Sequence, residues 1–250
     1  MYAISQLQSD LRKLGIQPGD VLMVHASFRS VGSTEGRGAG LIEALLSAVG
    51  QAGTLMAYAA FEATSEVPGF DPKRSPARPS YGVFAELLRT WPGASRSENP
   101  GASMVAVGAK AGWLCEEHPT SYGYGPDGPL GKLVSIRGKV LLLGSDPDQV
   151  TLLHLAEHLA AIPNKRVVTR EVPVLKQDGS ASILTVEEFD TSNPVVAGMP
   201  QRIFASIVER FIATGVPAHG RVGQADAHLL PAQELVSFAV SILESEFSGT

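Results

Sequence analysis

Residues 21–60 read VLMVHASFRSVGSTEGRGAGLIEALLSAVGQAGTLMAYAA. The first seven, VLMVHAS, are an apolar run with β-branched residues, which predicts a strand buried on both faces. Gly38 to Val49 carries apolar residues at helical spacing and meets a glycine stop at Gly50. GTLMAYAA is a second buried strand. A strand, a helix and a strand within forty residues make a right-handed crossover and place the two strands parallel. That unit sets the fold class: α/β, with a mainly parallel central sheet flanked by helices.

The pattern extends in both directions. Upstream, Ile4 to Leu14 predicts an amphipathic helix closed by Gly15. Downstream, Phe61 to Pro79 holds several prolines and mixed charges without periodicity, which predicts a long functional loop. Ser80 is placed to cap a helix running to about Arg89. SMVAVG (103–108) predicts a strand, Ala109 to Glu117 a helix, and HPTSYGYGPDGP (118–129) a second loop. RGKVLLLGS (137–145) is another buried strand, followed by a helix over Val150 to Ala161. KRVVTREVPVLKQDGSASILTVEEF (165–189) predicts an antiparallel hairpin turning at QDGS. A helix from about Pro200 to Thr214, an extended stretch AHGRVGQADAHLL (218–230) and a helix from Ala232 to Phe247 complete the chain. No flexible linker divides it, so residues 1–250 are expected to form one domain.

Composition narrows the function classes. Of 250 residues, 44% are hydrophobic and 18% charged, enough apolar matter for a sizeable core. Lysine plus arginine total 20 against 25 acids, a formal charge of −5, which argues against a nucleic-acid partner. Cys115 is alone, so no intrachain disulfide and no cysteine-based zinc site is expected. The N-terminal MYAISQLQSDLRKLG lacks the apolar centre of a signal peptide, and no apolar run reaches a membrane span. A cytoplasmic setting without membrane contact is the expectation.

Three segments can carry chemistry. HLAEH (154–158) places His154, Glu157 and His158 near one helical face. The spacing matches the H-x-x-E-H pattern of inverted zinc peptidases, against the alternative of an ordinary amphipathic helix. VEEFD (186–190) gathers three carboxylates at a strand end, with Glu188 and Asp190 on one face. That is either a solvated acidic end or a site for a polyamine, and one carboxylate there can orient a histidine base. HASFRSVGSTEGRGAG (25–40) is a Gly/Ser-rich turn leading into a helix, without a P-loop or dinucleotide fingerprint. Cys115, beside Trp113 and Leu114, reads as a buried thiol. No G-x-S-x-G elbow is present.

In order along the chain stand LGIQPGDVLMVHASFRSVG, LIEALLSAVGQAGTLMAYA, FDPKRSPARPSYGVFAELLRTWPGASRSENPGASMVAVG, YGYGPDGPLGKL and GKVLLLG…TLLHLAEH. These motifs resemble the aminoglycoside N3-acetyltransferase family, the antibiotic N-acetyltransferases unrelated in fold to the GNAT enzymes. The resemblance runs from about Leu14 to His158 and more loosely through VEEFD. It implies transfer of acetyl from acetyl-CoA to the 3-amino group of a 2-deoxystreptamine antibiotic, hence resistance, with no metal and no acyl-enzyme. By the family pattern His154 is the general base. Glu188 is expected to orient it and draw in the amine. Glu62 and Asp190 are expected to bind further ammonium groups, with Glu157 as a helper at the substrate. His25, Ala26, Ser27, Phe28 and Arg29, together with Ser103, Met104 and Val105, are expected to line the CoA arm and its thioester through backbone groups. A homodimeric assembly stays open.

The chain departs from the family pattern at Asn99, where a histidine is usual, and at Gly128, where a serine is common. Val150 and Leu152 replace residues that are often polar, and HASFR stands for HSSLR. These differences bear on which amine is acetylated, so another small amine is the alternative substrate, with a zinc hydrolase using H-x-x-E-H further behind.

Overall fold

The computed structural model describes residues 1–175 and 180–248. The N-terminal half contains α1 (Ile4–Lys13), β1 (Val21–Ala26), α2 (Phe28–Val31), α3 (Gly38–Val49), β2 (Thr54–Tyr58), α4 (Val83–Arg89), β3 (Ser95–Arg96) and β4 (Met104–Gly108). It continues through α5 (Ala111–Cys115), α6 (Pro129–Ser135), β5 (Lys139–Leu143), α7 (Leu153–Leu159), β6 (Val167–Leu175) and β7 (Ala181–Phe189). The chain closes with α8 (Ile203–Ala213), β8 (Ala218–Val222), β9 (Ala225–Pro231) and α9 (Ala232–Phe247).

Seven strands form one sheet in the order β3-β4-β2-β1-β5-β9-β8. Its centre, β2-β1-β5, is parallel, and β4 and β9 run against it on either side. The unbroken apolar runs have a direct cause: both faces of the sheet are covered. Val21 and Met23 of β1, with Val140 and Leu142 of β5, enter the core under α7, α8 and α9. Leu22 and Val24, with Leu141 and Leu143, enter the opposite core under α1 and α3. Strands β6 and β7 pair separately as an antiparallel hairpin. That hairpin docks through Tyr122 N–H to the Glu187 carbonyl (2.7 Å) and Phe70 N–H to the Pro173 carbonyl (2.7 Å). The Phe61 to Pro79 loop is thereby tied to it.

The helix over Gly38 to Val49 and the terminal helix have the expected bounds. Three expectations are corrected. Ser80 lies inside a 3₁₀ turn (Pro79–Tyr81), and Gly82, at φ 90°, starts α4 instead. Helix α6 was hidden behind Gly128 and Pro129, which signal a loop but here occupy its N-terminal cap and first turn. The stretch 218–230 is not merely extended but a hairpin that completes the sheet edge. The first three residues of the QDGS turn lie outside the described residues. Cys115 is buried, and burial pushes its thiol up to about 12. Among the described residues no helix is long and apolar enough to cross a membrane.

Candidate active site

The carboxyl ends of the parallel strands open into a cavity of about 370 Å³, the position where open α/β sheets bind ligands. His25 and Ala26 end β1, Tyr58 ends β2, and Ser145 follows β5; all line it. Gly144 permits the exit from β5, at φ +62° with a Cβ position only 2.3 Å from Ser30 Cβ. The chain then turns through Pro147–Gln149 into α7. Arg202 clamps that turn with two bonds to Asp146 (2.8 and 3.1 Å), and Asp148 accepts from Ala205 N–H. The clamp sets Phe204 of α8 against the ring of His154, centroids 4.8 Å apart.

His154 lines this cavity from the first turn of α7. Its Nδ1 lies 2.7 Å from Glu157 Oε2, one turn along the helix. A carboxylate accepts, so Nδ1 carries the proton and Nε2 is left as the basic nitrogen. Tyr124 and Phe204 enclose the ring at 4.7 and 4.8 Å, so it has little freedom to turn. Glu157 is itself buried, its side chain 7% exposed. Its carboxylate is turned to the His154 ring rather than left open to the cavity.

Glu188 does not reach His154 in the manner expected. Its Oε1 lies 2.9 Å from His158 Nε2, one turn beyond, and accepts from Phe189 N–H. Its Oε2 accepts from Tyr124 N–H at 3.3 Å. The hairpin register delivers Glu188 to His158, while the three-residue spacing in α7 delivers Glu157 to His154. His154 and His158 thus engage different carboxylates, and the H-x-x-E-H segment does not gather its histidines on one point. Glu188 lines a second cavity of about 190 Å³ under the hairpin, which shares Tyr124 and Thr191 with the first.

Asp190 accepts from Ser192 N–H and Oγ and from Asn193 Nδ2. Its carboxylate closes a local turn and is held below the usual range, first by the Ser192 hydroxyl. Glu62 is half-exposed and paired with Arg78 at 3.0 Å, outside both cavity linings. Arg78, however, lines the first cavity.

Of the residues expected along the CoA arm, His25 and Ala26 line the cavity. Ser27 caps α2 through Ser30 N–H, and its own N–H is taken by the Leu143 carbonyl (2.9 Å). Phe28 packs on Phe84, which lines the cavity, and Arg29 is exposed. Ser103, Met104 and Val105 are fully enclosed. The Ser103 hydroxyl donates to the Ala59 carbonyl and accepts from Arg96, while Met104 and Val105 enter opposite cores. The whole residues are enclosed, the Ser103 carbonyl accepts from Ala59 N–H, and none of the three lines the cavity, so the expected backbone contacts are not exposed there.

Tyr58, Tyr81 and Tyr124 also line the cavity and were not among the expected site residues; only Tyr124 lies in the 118–129 loop. Tyr58 Oη lies 2.6 Å from Tyr124 Oη, and both reach the Gly101 carbonyl. Burial holds both phenols protonated.

The unusual residues Asn99 and Gly128 surround His118. Asn99 is buried, donating to the Pro119 and Thr120 carbonyls and accepting from Gly101 and Ala102 N–H. A Cβ on Gly128 would stand 2.6 Å from the Gly123 carbonyl and 3.3 Å from His118. A serine there needs the loop to shift. Val150 and Leu152 are fully buried. His118 donates from Nε2 to the Gly123 carbonyl (2.7 Å), so Nδ1 accepts from Ser97 Oγ (2.8 Å).

Burial lowers His118 from 6.5 to about 4. Above 6.5 neither state binds the proton. As pH falls from 6.5 toward 4 the unfolded chain protonates first, so stability is lost across that window, by up to about 3 kcal/mol. His25, also lowered to about 4 by burial, acts with the same sign. Urea midpoints should therefore fall between pH 7 and pH 4.5, and His118→Gln should fall less steeply; an equal slope would remove the assignment.

A cleft at the carboxyl ends of parallel strands, holding an imidazole fixed by a buried carboxylate, is what a general-base enzyme for small molecules requires. The sequence profile described as aminoglycoside 3-N-acetyltransferase matches residues 23–244. Aminoglycoside N(3)-acetyltransferase III of Pseudomonas aeruginosa is 41% identical over 262 residues, covering 98% of this chain and 95% of the relative. The solved structure of AAC-IIIb in binary complex with CoASH superposes with a TM-score of 0.95 at 44% identity, covering 99% and 98% of the two chains. AAC-VIa bound to sisomicin superposes at 0.91 with 34% identity, covering 99% of each chain. This chain belongs to the aminoglycoside 3-N-acetyltransferase family.

Proposed function

We propose that this chain transfers the acetyl group of acetyl-CoA to the 3-amino group of the 2-deoxystreptamine ring of an aminoglycoside, and so confers resistance. The observation that carries the mechanism is the 2.7 Å contact between His154 Nδ1 and Glu157 within the cavity wall. An ammonium has no lone pair, so the amine must first lose a proton. Nε2 of His154 takes it, and Glu157 stabilises the imidazolium that results. The nitrogen lone pair attacks the thioester carbonyl carbon, the N–C bond forms, and the C–S bond breaks. The first proton passes on from Nε2 to solvent; as the N–C bond forms Nε2 takes the second N–H proton, and the departing CoA thiolate recovers that proton from Nε2. No covalent enzyme intermediate is needed.

Glu188 faces the second cavity with a carboxylate fixed by backbone N–H groups. Its role in this reading is attraction of the cationic substrate rather than orientation of the base. The CoA arm runs along His25 and Ala26, toward basic residues at the mouth such as Arg78. Residues 1–250 are read as one domain, a reading supported by two cores packed on opposite faces of one sheet among the described residues. A reducing cytoplasm suits acetyl-CoA and the unpaired Cys115 thiol.

Thiol release from acetyl-CoA, followed with a panel of aminoglycosides and simple polyamines, tests the assignment. Release that depends on a 2-deoxystreptamine antibiotic is expected. Release with polyamines alone would favour the other-amine reading, to which the unusual Asn99 and Gly128 lend weight.

A further inference from the structure

The β8–β9 hairpin holds a group of side chains that acetyl transfer leaves unused. His219 and His228 are direct cross-strand partners, so their side chains share one face of the sheet. Asp226 precedes His228 by two residues and shares that face. His219 Nε2 lies 2.7 Å from Asp226 Oδ1, and His228 Nε2 lies 3.3 Å from Asp226 Oδ2. The two rings stack with centroids 4.7 Å apart and planes inclined by 21°. One ligand atom from each of the three residues lies within 4.8 Å of the others.

We propose that His219, Asp226 and His228 bind a divalent first-row transition ion of the zinc class. Two imidazoles and a carboxylate suit such an ion, whereas magnesium and calcium favour shells built of oxygen. Metal–nitrogen and metal–oxygen bonds of ~2.0–2.2 Å require the His–Asp hydrogen bonds to be exchanged for bonds to the ion. The side chains can make that adjustment. Those of His219 and Asp226 are 59% and 60% exposed, so solvent rather than packing surrounds much of each, while His228 is 18% exposed and the more firmly held. Three protein ligands leave a coordination position open to water.

The site sits apart from the acetyl-transfer centre, in a defined relation to it. His25, Leu142, His228 and His219 occupy one register row across β1, β5, β9 and β8. Two strand spacings, ~10 Å, separate His25 from His228. The ion takes no part in acetyl transfer; it crosslinks edge strand β8 to β9 at the border of the sheet.

Calorimetric titration of untagged, chelator-treated protein with Zn²⁺ at pH 7.5 tests this. One saturable equivalent is expected, with affinity at least ~10-fold weaker in His219→Ala and in Asp226→Asn, and unchanged in His154→Ala. Zn²⁺ should raise the thermal midpoint of the wild type but not of His219→Ala, whose fold is checked by its midpoint without metal. Absence of saturable uptake overturns the proposal. So does an affinity unaffected by His219→Ala, or lost in His154→Ala. Equal affinity for Mg²⁺ overturns the assigned class of ion.

Discussion

Replacing His154 with alanine is expected to lower kcat by ~10²–10⁴, the usual contribution of a positioned general base. The loss should fall on kcat because Nε2 acts on the amine proton as the N–C bond forms. Affinity for CoA should stay nearly intact. The residues proposed to meet the CoA arm, His25, Ala26 and Arg78, make no hydrogen bond to His154. The ring does fill space between Tyr124 and Phe204, so its removal also opens room beside the reacting amine. His154→Gln keeps more of that volume and should be comparably slow if proton transfer, rather than packing, is what is lost. Turnover surviving in both variants would show that another group is the base.

Glu157→Gln is expected to lower kcat by ~10²-fold or more, with KM for the aminoglycoside changed little. A carboxylate only accepts, and so fixes the proton on Nδ1. An amide can instead present its NH₂, which favours the wrong tautomer, and it cannot stabilise the imidazolium that forms. In the serine-protease triad the corresponding change costs ~10⁴. The loss here is set lower because the amide oxygen can still accept from Nδ1–H and retain the productive tautomer. Glu188→Gln should behave differently. Its carboxylate holds His158 and the Tyr124 N–H and faces the second cavity. It should mainly raise KM for the cationic substrate. Steady-state kinetics on the two variants separate these roles, and equal effects on kcat would remove the distinction.

Much of the fold was legible because its apolar runs answer to a physical constraint. VLMVHAS and KVLLL can be continuous only where helices cover both faces of the sheet. Gly50 and Phe247 end their helices as the pattern indicates. The β8–β9 hairpin was less legible because His219, Asp226 and His228 give it a polar face at the sheet border, which weakens the strand signal. Helix α6 was obscured because Gly and Pro mark loops as readily as helix starts.

The site divides along the same line. That His154, Glu157 and His158 share a helical face was legible because such spacing is a local fact, but the partner expected for His154 was Glu188, not Glu157. The partner of Glu188 depends on how a distant hairpin docks, and local spacing holds no record of that register. Ser103, Met104 and Val105 were expected to meet the CoA arm through backbone groups, and a strand's position beside the cleft does not reveal that its backbone is enclosed by neighbours. The Ser192 and Asn193 donors to Asp190 form a local turn that carboxylate spacing alone does not show.

The most direct test is the position of the acetyl group on the product. Purified protein, acetyl-CoA and sisomicin should yield a singly acetylated antibiotic bearing the acetyl on the 3-amino nitrogen, assigned by NMR, in amounts equal to the CoA released. Acetylation at a different nitrogen, or CoA release without acetylated antibiotic, would contradict the account.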